Sequence, residues 1–137
     1  MTDPLGALHG VVNACEPLPG VLTGGQPEAH HLEALAASPG AIVLDIRDPM
    51  EPRSFDEPAL ARSLGLQYVN IPVSSGSLSD ATLDRILEVL RGAGDRRVFF
   101  HCGSGNRVGG ALIPYLMIDK GLDEEAAIEA AMRVGLR

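Results

Sequence analysis

Short runs of consecutive apolar residues alternate along this chain with stretches in which apolar positions recur every three or four residues. The first pattern suits strands buried on both faces and the second suits amphipathic helices. Their alternation predicts an α/β fold, a single domain with a mainly parallel central sheet of about four to five strands flanked by helices. Residues 21–25, 41–46, 67–71 and 97–101 read as strands, the second set off by the Pro39-Gly40 break and the third closed by Pro72. Residues 28–37 read as a helix with Pro27 at its start and Leu32, Leu35 and Ala36 on one face. Pro58 opens a shorter helix bearing Leu60 and Leu64, and Gly65 suits its stop. Ser79 reads as the N-cap of a helix carrying Leu83, Ile86, Leu87 and Leu90. A further helix, 107–120, contains Pro114, which cannot donate to the Gly110 carbonyl and predicts a kink. Asp123 starts a last one through Ile128, Ala131 and Met132. The domain spans 1–137, with 1–19 as an N-terminal extension.

Composition narrows this picture. With 137 residues and 45% apolar content the chain fits one globular domain. No apolar stretch reaches the roughly 20 residues of a membrane span. Met1-Thr2-Asp3-Pro4 lacks the basic start and apolar core of a signal peptide. The expectation is a cytoplasmic protein without a membrane partner. A formal net charge of −7 argues against nucleic acid, whose readers show a basic face. Any attraction for an anionic substrate must then be local. Cys15 reads as a small buried residue, and neither cysteine has zinc-site spacing.

The chemistry concentrates in Val98-Phe99-Phe100-His101-Cys102-Gly103-Ser104-Gly105-Asn106-Arg107. An apolar strand ends in His-Cys, a glycine-punctuated turn follows, and an arginine enters a helix. Glycines let successive N–H groups point inward as an anion-binding nest. The helix adds its positive end and Arg107 a planar fork. That field favours Cys102 as a nucleophilic thiolate. Gly103, Ser104, Gly105 and Asn106 then form the substrate-binding loop, and His101 supports it from behind through a hydrogen bond to its backbone. A dinucleotide fingerprint fails on context, because too little chain follows for the next strand and its acidic ribose contact. Neither a metal nor a cofactor is called for. His30 and His31 lack ligand partners at suitable spacing, and Asp45 and Arg47 read as a structural polar pair.

At His101-Cys102…Arg107 the chain resembles cysteine-dependent phosphatases of the tyrosine and dual-specificity class. It is most similar to a bacterial group, the beta-lactamase-hydrolase-like phosphatase domains, also described as sulfurtransferase-like. Gly25-Gln26-Pro27, Asp45-Ile46-Arg47 and Val69-Asn70-Ile71-Pro72-Val73 carry the rest of the resemblance. It implies a cysteine-phosphatase-like fold, a phosphorylated or other oxyanionic substrate, and catalysis by Cys102 and Arg107. Three departures stand out. Cys102 and Arg107 enclose four residues, the spacing typical of rhodanese-type sulfurtransferases, where tyrosine phosphatases hold five. Position 108 is Val, where phosphatases usually place Ser or Thr. The loop 72–77, where the family carries its general-acid aspartate, has no carboxylate. Asp48, Glu51 and Asp80 are the candidates to replace it.

Three functions follow from these residues. The first is phosphate-monoester hydrolysis through a cysteinyl-phosphate. The second is sulfur transfer through a Cys102 persulfide. The third is a binding module for an oxyanionic or phosphorylated ligand without turnover.

Overall fold

The computed structural model describes residues 4–74 and 78–136, so the last part of the 72–77 loop lies outside the described residues. A short 3₁₀ turn, Pro4–Leu8, precedes β1 (Cys15–Leu18) and β2 (Val21–Gly24). Then come α1 (Ala29–Leu35), β3 (Ile42–Asp45), α2 (Glu57–Ser63), β4 (Gln67–Asn70) and α3 (Asp80–Gly92). The chain ends through β5 (Val98–His101), α4 (Asn106–Lys120) and α5 (Glu124–Val134). The five strands form one sheet in the order β1-β2-β5-β3-β4. All neighbours are parallel except β1, which runs antiparallel to β2.

The expected strands and helices all form. Ser79 and Asp123 cap α3 and α5, each accepting from the amide three residues on, and Asp56 does the same for α2. Such caps contribute about 1 kcal/mol each. Residues read as an N-terminal extension supply the 3₁₀ turn and edge strand β1. Pro17 lies within β1 and obscured it, since proline is tolerated in strands mainly at sheet edges. Helix α4 runs through Pro114 as one element.

Alternation along the strands divides the core into two layers. Ile42, Leu44, Val98 and Phe100 face α3, α4 and α5, while Leu22, Val43 and Phe99 face the 3₁₀ turn, α1 and α2. Phe99 and Phe100 are both fully buried, each contributing about 1.5–3 kcal/mol relative to exposure. The parallel strands finish in register, with Gly24 beside His101, His101 beside Asp45 and Asp45 beside Asn70. The loops after β2, β3, β4 and β5 therefore emerge at one edge, where ligands bind in open α/β sheets.

Helix α5 turns its small residues inward. It buries Ala127, Ala130, Ala131 and Val134, while Met132 is 57% exposed and Ile128 lies at the surface. Close approach to α4 is the reason. A Cβ on Gly109 would lie 2.8 Å from Leu136 Cβ and 2.9 Å from the Ala131 carbonyl oxygen. Only small residues fit such an interface. Gly109→Ala is expected to destabilise the domain by about 1–3 kcal/mol through overpacking. Thermal denaturation should show a melting temperature several degrees lower, whereas Gly92→Ala, on an open face, should not lower it.

Candidate active site

The end of β5 distributes two side chains to opposite faces of the sheet, as strand geometry requires. Phe99 and His101 share one face, and Phe100 and Cys102 belong to the other. Cys102 is 1% exposed and lies at the floor of the loop leading into α4. The Gly105 N–H donates to its Sγ at 3.1 Å. Helix α4 directs its N-terminal end at the same place, the environment that lends a cysteine nucleophilic character.

Three close backbone approaches hold this loop. Gly105 adopts φ +98°, and a Cβ there would lie 2.3 Å from the Val134 carbonyl oxygen. A Cβ on Gly25 would lie 2.5 Å from the Gly103 carbonyl oxygen, which accepts from the Gln26 N–H at 3.0 Å. The Gly25-Gln26-Pro27 segment thus braces the loop from β2. On the other side Asn13, itself at φ +57°, donates from Nδ2 to the Ser104 carbonyl at 2.7 Å.

Arg107 converges on Cys102 as the spacing predicts, and its guanidinium interacts with the sulfur. Its fork is occupied by Glu51. Nη1 donates to Oε2 at 2.7 Å and Nη2 to Oε1 at 2.8 Å, with Nη1 also donating to the Val73 carbonyl at 3.1 Å. A carboxylate thus occupies the position an oxyanion would take. Arg107 hydrogen bonding holds the Glu51 carboxyl at about 2, helped by the Asp48 amide and Arg47 and opposed by partial burial. Arg47 Nε donates to Glu51 Oε1 at 3.1 Å, and its Nη1 reaches Gln26 Oε1.

Of the three carboxylates considered as acids, Glu51 is ionised and engaged with Arg107. Asp48 lines the same cleft, of about 650 Å³, together with Met50, Glu51, Ser104, Asn106 and Arg107. Asp80 lies exposed in the first turn of α3, among the residues that do not line it.

On the opposite face lies a network that the sequence did not reveal. His101 Nε2 donates to Glu57 Oε2 at 2.5 Å, and its Nδ1 lies 3.3 Å from the Cys102 carbonyl oxygen. Glu57, fully buried at the start of α2, also accepts from Gln26 Nε2 at 2.7 Å. Burial raises its carboxyl, but bonds and charge from His101, with Gln26 and Arg53, bring it below the ordinary range. Arg53 bonds the buried Asp45, which also accepts from the Tyr68 hydroxyl at 2.6 Å. Asp45 and Arg47 meet only through the Arg47 backbone N–H, so their expected pairing is a backbone bond rather than an ion pair. Asp45, Glu57 and His101 each place one donor atom within 4.8 Å of the others, as a cation site would. Here Arg53 already supplies the positive charge to both carboxylates. His31 is also structural: its Nδ1 accepts from the Glu28 N–H and its Nε2 donates to the His9 carbonyl.

The fold has clear counterparts among solved structures. A DUF442 protein of Shewanella putrefaciens CN-32 superposes with a TM-score of 0.78 at 17% identity, covering 95% of each chain. P. aeruginosa TpbA, solved in complex with pTyr, gives 0.75 at 20% identity, over 99% of this chain and 79% of that one. The core catalytic domain of the S. cerevisiae PP-IP phosphatase SIW14, in complex with citrate, gives 0.76 at 14% identity, over 93% and 80%. The chain has the protein-tyrosine-phosphatase-like fold. The resemblance carried by His101-Cys102…Arg107 therefore extends to the whole domain architecture. No protein-family model matches the sequence, and no curated protein matches it. Among the described residues no helix is long and apolar enough to cross a membrane.

The Glu51 pair generates a pH prediction. Its carboxyl is lowered in the folded state from an ordinary value near 4.5 to about 2. The pair's stabilisation is then present above the ordinary value and is lost as pH falls through about 2. Wild type should melt above Glu51→Gln by a margin that is constant from pH 5 to 7 and shrinks steadily toward pH 2. A margin independent of pH would show that Glu51 acts through packing alone.

Proposed function

We propose that this protein is a cysteine-dependent phosphate-monoester hydrolase. The observation that carries the reading is the Arg107 fork, which lines the cleft already filled by a carboxylate and follows the loop whose Gly105 N–H bonds the Cys102 sulfur. A phosphoryl group offers the same pair of oxygens with more charge, so it can displace Glu51 and take both guanidinium bonds. Cys102 sulfur then attacks phosphorus, the bond from phosphorus to the ester oxygen breaks, and the leaving alkoxide or phenoxide takes a proton from solvent water. Loop amides and Arg107 hold the equatorial oxygens through the transition state. Water attacks the cysteinyl-phosphate, the S–P bond breaks, and phosphate leaves with the thiolate restored.

Glu51 is ionised well below neutrality, so it holds no proton to give the leaving group. Turnover should therefore depend steeply on the leaving group, with aryl phosphates favoured over alkyl ones. Catalysis by Cys102 and Arg107, with 103–106 as the oxyanion loop and His101 held by Glu57 beneath it, assigns a role to each residue of the motif. No cofactor enters this scheme.

The four-residue loop favours a second reading, sulfur transfer through a Cys102 persulfide, because a shorter loop fits a sulfur atom better than tetrahedral phosphate. Paired assays separate the two. Hydrolysis of an aryl phosphate and transfer of sulfur from thiosulfate to cyanide are measured for wild type, Cys102→Ser and Arg107→Lys. The expected result is phosphate release abolished by Cys102→Ser, with no thiocyanate formed. Arg107→Lys should lose at least about tenfold, or roughly 1.4 kcal/mol of transition-state stabilisation, because lysine keeps charge but not the fork. Cysteine-dependent thiocyanate without phosphate release would replace the hydrolase reading, and silence in both would leave an oxyanion-binding module.

A further inference from the structure

The charged residues lining the cleft before Cys102 are one cation and two carboxylates, Arg107 against Asp48 and Glu51. Several other basic groups are committed elsewhere, and Arg62 lines a neighbouring cleft with Pro49 and Glu51. Arg53 serves Asp45 and Glu57 in the interior. The buried Arg47 directs its side chain to Gln26, Glu51 and the Pro52 carbonyl. Arg91, Arg96 and Lys120 line a different cleft beside Val21 and Val98, at the other end of the parallel strands.

A single phosphoryl group accounts for the available positive charge. It takes the Arg107 fork and leaves Glu51 at the cleft wall, still held by Arg47 Nε and the Asp48 N–H. Any second anionic group on the substrate would meet Asp48 and the displaced Glu51 without a cation among the described lining residues. Juxtaposed like charges in a cleft are strongly unfavourable, and the overall charge of −7 adds to the effect. What the rim offers instead is apolar: the Met50 side chain, 89% exposed, beside Pro52.

We propose that this cleft selects phosphate monoesters whose leaving group carries no negative charge and packs on Met50, and that Asp48 and Glu51 exclude polyphosphates and phosphorylated acidic peptides. The inference rests on the hydrolase reading and names its substrate class. Asp48 is the residue to change, since the Asp48→Asn amide oxygen can still accept the Met50 N–H bond that the carboxylate accepts now at 2.8 Å.

The test compares two aryl phosphates matched in leaving-group pKa, one uncharged on the ring and one bearing a carboxylate or second phosphate. Wild type is expected to show kcat/KM at least tenfold lower for the anionic ring at low salt. The gap should narrow severalfold at high salt and in Asp48→Asn, and further in Asp48→Lys. A gap absent in wild type, or present but indifferent to salt and to Asp48, would overturn the proposal. Calorimetric binding to Cys102→Ser provides an arm that needs no turnover. Tighter binding of the uncharged ester there, with wild type hydrolysing neither, would retain the selectivity while removing the hydrolase reading. Equal binding of both esters, or of neither, would overturn the selectivity.

Discussion

Adjacent residues of a β-strand point to opposite faces, and at the end of β5 this sends His101 toward α2 and Cys102 toward α4. The site's two halves follow from that divergence. On the α4 side the sulfur meets an amide, a helix N-terminus and the Arg107 guanidinium. On the α2 side the imidazole meets a carboxylate buried completely at the first turn of a short helix. Because β5 is central, flanked by β2 and β3, the loops of both neighbours close on the same point. Gln26 from one and Arg47 from the other bond each other beside it.

The result is a chain of alternating charge running from one face of the sheet to the other. Cys102 faces Arg107, Arg107 faces Glu51, and Glu51 faces Arg47. Gln26 then links Arg47 to Glu57, which meets His101 and Arg53. Burying such groups is costly in itself, and the pairs offset that cost only through good geometry and shared hydrogen bonds. Their contribution here is positional. Each guanidinium is held by at least two partners, so the loop after β3 and the loop after β5 keep a defined relation. Arg107 with Glu51 is the pair in this series with both members partly accessible, at 21% and 28%.

Much of the architecture was legible in the sequence because it depends on local rules. Apolar runs and helical periodicity marked β2 to β5 and all five helices, and capping residues Ser79 and Asp123 marked two helix starts. The Cys102-to-Arg107 segment was legible for the same reason: strand, glycine turn and helix are consecutive, so their geometry follows from chain stereochemistry. Edge strand β1 was not, since Pro17 breaks the strand pattern and its pairing to β2 is a matter of register. The buried face of α5 was not legible either, because Ile128 and Met132 carry larger apolar side chains, while the face turned inward is mostly alanine.

The sequence by itself determined the α/β class, the order of its elements and the glycine turn that joins a strand-end cysteine to a helix bearing Arg107. Those features depend on residues within a few positions of one another. Only the tertiary structure decided which carboxylate faces Arg107, since Glu51 lies 56 residues before it and Asp48 had equal standing in the sequence. It also decided that Glu57, 44 residues before His101 and unremarkable in a helix's first turn, is a buried partner of the active loop. Electrostatic pairing acts through space, and the parallel crossovers that bring distant strand ends to one edge set which charges meet.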